Sequence, residues 1–394
     1  MLTQIQHLAQ SIAEQVVAHR RHLHTYPELS FWEFQTAAYI AQELTHMGLA
    51  PQKMATTGVV ALIEGRHPEK KTVALRADID ALPIKEMNEV PYKSVHEGVM
   101  HACGHDAHTA SLLGTAYILQ QLRHEFEGTV KLIFQPGEEK IPGGASLMIQ
   151  EGVLQNPAPS HIIGQHVMPQ LPVGKIGFRE GMYMASTDEL YIRIVGKGGH
   201  AAMPDRLIDP VYIAAHLVVS LQQVVSRMAP PRIPSVLSVG RFIAEGITNV
   251  IPNEVFLQGT FRTMDEEWRE EAHRRIGKLA TELVSSMGGI CEIEIRKGYP
   301  YLINNPALTA RMRHAAQAYV GKDNVVALDL WMAGEDFAFY TQHIPGCFYR
   351  LGTGNEARGI VSGVHTPTFD IDESALILGC GLMSWLAIEE LKHA

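Results

Sequence analysis

Residues 101–106 read His-Ala-Cys-Gly-His-Asp, and residues 137–139 read Gly-Glu-Glu at the end of an apolar run. A thiol and an imidazole two positions apart are soft and borderline metal ligands, while two adjacent carboxylates can divide ligation from proton transfer. That is the chemistry of a hydrolase that works with two metal ions. Cys103 and His105 would not share a helix face. They fit a turn in which Gly104 lets the backbone bend and aim both side chains at one ion. Two other readings of the same residues stay open: His101 or His108 ligates while Cys103 is merely buried, or Cys103 and His105 form a metal-free nucleophile pair.

The elements that must position these groups read as an open α/β sheet, with apolar runs alternating with helical patterns. Strands are expected over 72–75, 129–134 and 161–167. Asp78 and Asp80 follow the first, Glu138 and Glu139 the second, and His166 ends the third. Ligands of such sheets bind at the carboxyl ends of strands, so these segments converge by topology. A helix is expected over 109–123, directly after the Cys103–His108 turn. Between 183 and 297 the pattern becomes strand (189–195), helix (209–228), strand (235–243), strand (254–262), helix (266–287), strand (291–296), the ferredoxin-like βαββαβ order. The expected fold is therefore α/β and discontinuous: an open mixed-sheet catalytic domain, 1–182 and 298–394, with an inserted lid and dimerisation domain, 183–297. His365, in an apolar-flanked turn of the returning segment, is a further candidate ligand.

Composition bounds the function. At 394 residues the chain exceeds what one core usually supports, and its 46% hydrophobic share supplies ample core. A net charge of -9 without a Lys/Arg run argues against a nucleic-acid partner and toward small substrates. Residues 1–21 carry Gln, Glu and His through an amphipathic pattern, which predicts a surface helix rather than an export signal. No uninterrupted apolar stretch approaches the roughly 20 residues of a membrane span, so the expectation is a soluble, cytosolic protein with reduced thiols.

The ordered set LRADIDALP (75–83), HACGHDAH (101–108), FQPGEE (134–139), GKGGHAAMP (196–204), NVIPNEV (249–255), GTFRT (259–263), AGEDFAFY (333–340) and HTPTF (365–369) resembles the N-acyl-amino-acid amidohydrolases. That group holds hippurate hydrolases, auxin-conjugate hydrolases and N-acetyldiaminopimelate deacetylases, within the aminoacylase and glutamate-carboxypeptidase clan. The resemblance runs nearly end to end. It implies that Cys103, His105, Glu139, His166 and His365 bind two divalent ions per subunit, that Glu138 is the general base, and that Asp78 is a supporting carboxylate which fixes an imidazole ligand. It implies that His200, Asn249 and Arg262 of the lid meet the substrate. Thiolate with imidazole favours zinc, the family leans to manganese, and nickel or cobalt are further candidates. One departure is Lys140-Ile141-Pro142 before the double glycine; another is Asp205, where relatives often carry histidine.

The expected reaction is hydrolysis of the amide of an N-acyl-L-amino acid (N-acetyl, N-benzoyl or similar). A metallocarboxypeptidase acting on short peptides and an N-acetyldiaminopimelate deacetylase are the alternatives, and a metal-binding protein without turnover is the rival from another class. The expected assembly is a homodimer or homotetramer through the lid, whose edge strands 189–195 and 235–243 lack Pro or Lys protection. Each site residue has a plain rival: a packed cysteine, a solvated carboxylate pair, a core histidine, a lid of ordinary turn residues. Glu335 and Asp336 read as supporting carboxylates beside the site or as a plain helix start, and stay outside the ligand set.

Overall fold

The computed structural model describes residues 1–393. Two compact units emerge, one built from 1–183, 303–330 and 336–393, the other from 184–302 with 331–335. The crossing back to the first unit thus falls a few residues later than the pattern implied, and 331–335 returns to the second.

The first unit is organised by a mixed sheet whose strands run, in spatial order, Gln52–Met54, Gly58–Glu64, Thr129–Gln135, Thr72–Asp78, His161–Pro172, Gly346–Gly354, Ile176–Phe178 and Val325–Ala327. Its centre is parallel: 72–78 pairs with 129–135 and with 161–172, and 161–172 with 346–354. Every residue of 72–78, 129–135 and 346–354 is buried, as expected of parallel strands covered on both faces, and this is why they read as near-continuous apolar runs. Helix His105–Gln121 packs on this core beside helix Ser374–Lys392. The latter is long and apolar enough to cross a membrane, yet its apolar surface is mostly buried in the unit's own core, as in a core helix. Its last turn is fastened by Glu390, a buried carboxylate held by Lys71 and Arg311 at 2.9 Å each and by His161 at 3.2 Å.

The expected single N-terminal helix is two, Leu2–Ser11 and Ala13–Thr25, broken at Ile12. Ile5, Ala9, Ile12 and Val16 nevertheless enter the core as one stripe.

The second unit is an antiparallel sheet ordered Ser235–Ile243, Glu254–Thr263, Asp188–Val195, Ile290–Lys297, with helices Pro210–Gln223 and Glu266–Ser286. Asp209 caps the first helix through the amides of Val211 and Tyr212, and Asp265 caps the second through Trp268. Leu190, Ile192 and Ile194 alternate into the helix-covered core. Strand 188–195 lies inside the sheet, not at its edge as expected, because this topology places the first strand between the third and fourth. The edges are 235–243 and 290–297.

Candidate active site

Cys103 and His105 sit on either side of Gly104, which adopts φ +84° and serves as the N-cap of helix 105–121. A side chain there would be strained, and its Cβ would meet Val167 at 2.4 Å. The helix begins at His105 rather than near 109, so His105 and His108 lie on one face, one turn apart. Asp106, in that first turn, is buried and bonded by Arg20 at 2.9 Å and by His24 at 2.7 Å. This gives His24 a structural place, while His22 stacks on Tyr39 with centroids 4.1 Å apart.

Ring-nitrogen partners separate the imidazoles with a nitrogen to spare from His108, which stands in a donor group with Asp78 and His105 but has both nitrogens engaged. His105 Nδ1 donates to the Asp80 carbonyl at 2.9 Å and to its carboxylate at 3.2 Å, which leaves Nε2, without a hydrogen-bond partner, as the nitrogen turned to the donor cluster. His166 Nδ1 donates to the Val167 carbonyl at 2.7 Å, and its Nε2 lies 3.4 Å from the Cys103 sulfur. In His108 both nitrogens are engaged: Nδ1 donates to Asp78 at 2.6 Å and Nε2 accepts from the Val167 amide at 2.8 Å. His101 is buried but belongs to none of the donor groups that could hold a metal. Those groups include Cys103, His105 and His166; Cys103, Glu139 and His365; and His105, Glu138 and Glu139, with ligand atoms within 4.8 Å of one another in each. Cys103 is common to the first two, the place a bridging ligand would take.

Two positions correct the sequence reading. His166 lies within strand 161–172, opposite Arg350, rather than at a strand end. The carboxylate that fixes the imidazole of His105 is Asp80; Asp78 instead holds His108 and stands 3.7 Å from His105 Nε2. Asp80 also accepts from the Glu139 amide at 2.9 Å and from the Ser30 hydroxyl at 2.7 Å, so one carboxylate orients a ring and a loop together. Asp336, which the sequence leaves between a supporting carboxylate and a helix start, takes the supporting place. It pairs with Arg76 at 2.7 Å, accepts from Gln135 and from the Ala145 amide, and its own amide lies 3.4 Å from Glu138 Oε1. Arg76 bridges Asp336 to Asp78 at 2.6 Å. The signal was present in the buried-strand context of RAD and the ED pair after Gly334, but its meaning depends on contacts between residues distant in sequence.

The electrostatics describe a cradle for positive charge. Burial opposes charge on His105, yet Asp78 and Cys103 beside it hold its pKa well above the ordinary range. Hydrogen bonds with Cys103 and Glu139 push His365 up to about 10. His365 Nε2 stands 3.2 Å from Glu139, and its backbone is held at φ +61° with the amide donating to Ala102 at 2.7 Å. Burial, and next Arg350, keep His166 neutral. Protons are held here by the anions around them, and a divalent ion bound in their place would displace them. The donor set of one thiol, three imidazoles and carboxylates suits such ions.

In the second unit, His200 lies on a two-residue strand paired with Val250–Ile251, and the Asn249 carbonyl accepts from the Ala201 amide, so this small two-stranded sheet brings both residues together. His200 Nδ1 accepts from the Ala202 amide at 3.1 Å, which places its proton on an exposed Nε2. Arg262 stands on strand 254–263 opposite Val236, partly buried, with a long 3.5 Å hydrogen bond to the Met332 carbonyl and no ion pair among the described residues. These are donors with capacity to spare.

Residues 74–388 match the model of peptidase family M20/M25/M40. An N-acyl-L-amino acid amidohydrolase of Geobacillus stearothermophilus is 44% identical over 76% of this chain and 81% of that protein. Thermostable carboxypeptidase 2 of Saccharolobus solfataricus is 36% identical over 96% of both. The crystal structure of the Bacillus subtilis YXEP protein, described as a dinuclear metal-binding peptidase of the M20 family, superimposes with a TM-score of 0.83 at 36% identity, covering 98% of this chain and all of that one.

Proposed function

The chain belongs to peptidase family M20/M25/M40, and within it we propose that it hydrolyses the amide bond of N-acyl-L-amino acids at a site for two divalent ions. The observation that carries this reading is the Cys103 sulfur, common to two groups of metal donors, with Glu138 in a third group that shares His105 and Glu139. Cys103, His105, Glu139, His166 and His365 are assigned as the ligands, with manganese or zinc as the ions. Such ions supply Lewis acidity, lowering the pKa of a coordinated water from about 16 to about 7 and polarising the acyl oxygen.

The chain's own groups do the rest. Glu138, adjacent to the ligand Glu139, takes the water proton and returns it to the leaving amine, one carboxylate acting as base and then acid. The Asp336 amide beside its oxygen biases which way that carboxylate faces. Asp80 keeps His105 in the tautomer whose Nε2 can ligate, while Asp78 acts at one remove through His108. His200 Nε2–H is assigned as a donor to the oxygen that gains charge in the transition state. Arg262, an unpaired fork of donors, is assigned to the substrate's free carboxylate, with Asn249 as a further polar contact.

Cytosolic location and assembly through the second unit complete the proposal. Edge strand 235–243, with Val236 and Phe242 exposed, is the surface expected to pair with a second copy. The Saccharolobus relative's name supports a second reading, a carboxypeptidase of short peptides. Product analysis decides between them: chelated protein reloaded with manganese or zinc is offered N-acetyl and N-benzoyl amino acids beside dipeptides. Release of acetate or benzoate at rates well above dipeptide cleavage is expected. Cleavage of dipeptides alone would transfer the assignment to the carboxypeptidase, and equal rates with and without metal would sink both.

A further inference from the structure

The segment Glu28–Glu33 precedes every residue assigned to the site, yet it is stitched to both loops that carry the site's carboxylates. The Glu28 carbonyl accepts from the Ala81 amide at 2.8 Å, and the Ser30 hydroxyl donates to Asp80 at 2.7 Å. Glu33 is completely buried; its carboxyl accepts from the amide of Gly137 at 2.8 Å and from the hydroxyl of Thr57 at 2.7 Å. Gly137 immediately precedes Glu138. The Phe31 ring lies flush on Gly137, where a Cβ would meet it at 2.2 Å, and Phe31 itself is held at φ +68°, a conformation that a bulky residue adopts only when its surroundings impose it. A buried carboxyl that accepts from a loop amide of the site, beside a strained aromatic, is an expensive arrangement for a connection whose only task is to join two helices.

From this geometry we infer that Glu33 is a positioning residue for the reaction: through Gly137 it sets where Glu138 stands, while Ser30 fixes the Asp80 carboxylate that separately holds the Glu139 amide. The inference rests on Glu138 as the base. Burial, followed by the Asp80 charge, pushes Glu33 up to about 7, so an amide resembles its neutral form and retains an acceptor for Gly137.

The test measures kcat, KM, metal content and melting temperature for Glu33→Ala, Glu33→Gln and Thr57→Val, with Glu138→Gln alongside. Misplacing the base by a fraction of an ångström lowers kcat, so Glu33→Ala is expected to lose about tenfold or more in kcat at full metal content with KM within about twofold. Glu33→Gln should restore at least half of the wild-type kcat. Should the alanine variant fail to fold, Thr57→Val decides, with an expected loss of about threefold in kcat at unchanged metal content. Wild-type kcat in Glu33→Ala, or in Thr57→Val when it is the deciding variant, would overturn the inference, as would a Glu33→Gln enzyme as impaired as Glu33→Ala. An active Glu138→Gln enzyme would instead remove the base assignment itself, whatever the strap variants do.

Discussion

The donor cluster of the first unit and the small sheet that carries His200 in the second handle polar groups in opposite ways. In the cradle nearly every nitrogen or oxygen that does not face the donor cluster is engaged: His105 by Asp80, His166 by Val167, Asp78 by Arg76 and His108. On the small sheet His200 keeps an exposed donor, and on the larger sheet of the same unit Arg262 has one long hydrogen bond. Ion ligands must be fixed before the ion arrives, because a loose imidazole or carboxylate loses affinity to its own freedom. Groups that greet a substrate need unspent donors, since a satisfied one has nothing to offer. The contrast predicts that substitutions in the first unit act on metal and turnover, and those in the second on substrate.

The largest expected effect tests the cradle. Glu138→Gln should keep its metal and lose turnover by about 10² or more, whereas Glu139→Ala should lose metal. Metal analysis beside steady-state rates checks both, and the comparison collapses if the two variants behave alike. Next, His200→Ala is expected to lower kcat by about 10² with metal content unchanged, the cost of one donor to developing charge. Mixing it with Glu138→Gln under subunit exchange sharpens the point. Recovered activity would assign His200 to the partner's site, and none despite proven exchange would restrict it to its own chain. Arg262→Lys should raise KM about tenfold with little change in kcat for substrates bearing a free carboxylate, and should do nothing to their amide analogues.

A further effect, on stability and not on turnover, concerns the second unit. Burial alone would raise the Asp188 carboxyl, but the hydrogen bond from His273 at 2.7 Å and the ion pair with Arg269 at 2.6 Å outweigh it, and the folded pKa lies below the usual carboxylate value. A carboxyl lowered on folding from about 3.9 stabilises fully above about pH 4 and loses that contribution as pH falls through the folded value. Asp188→Asn should therefore destabilise by about 3 kcal/mol at neutral pH. Melting curves should show the gap to wild type narrowing in acid; a gap that widens there would reverse the sign of the argument.

Much of this was legible in the sequence because the informative residues are local. Strands 129–135 and 235–243, the βαββαβ order and the clustering of Cys103, His105, Glu138 and Glu139 all follow from short-range pattern and spacing. What escaped depends on tertiary contact. Asp80 and Asp78 are two apart in one motif, and only the rotamers imposed by Arg76 and Ser30 decide which of them meets His105. Asp336 stayed undecided between a supporting carboxylate and a helix start because its partners Arg76 and Gln135 are far away in sequence. The helix start at His105 was hidden because its first turn is written in residues that also suit a metal turn. The misplaced edge strand had a different cause: chain order does not give sheet order.

Glu390 and its helix carry a consequence for how the chain is made. The first unit draws segments from both sides of the second, and its sheet lacks strand 346–354 and its core lacks helix 374–392 until well after residues 184–302 have been made. The second unit draws all but five of its residues from the continuous run 184–302. On the ribosome, where domains complete as units, the later-encoded body closes first. The earlier one waits, with Lys71 and His161 already synthesised and the carboxylate that will fasten them still to come.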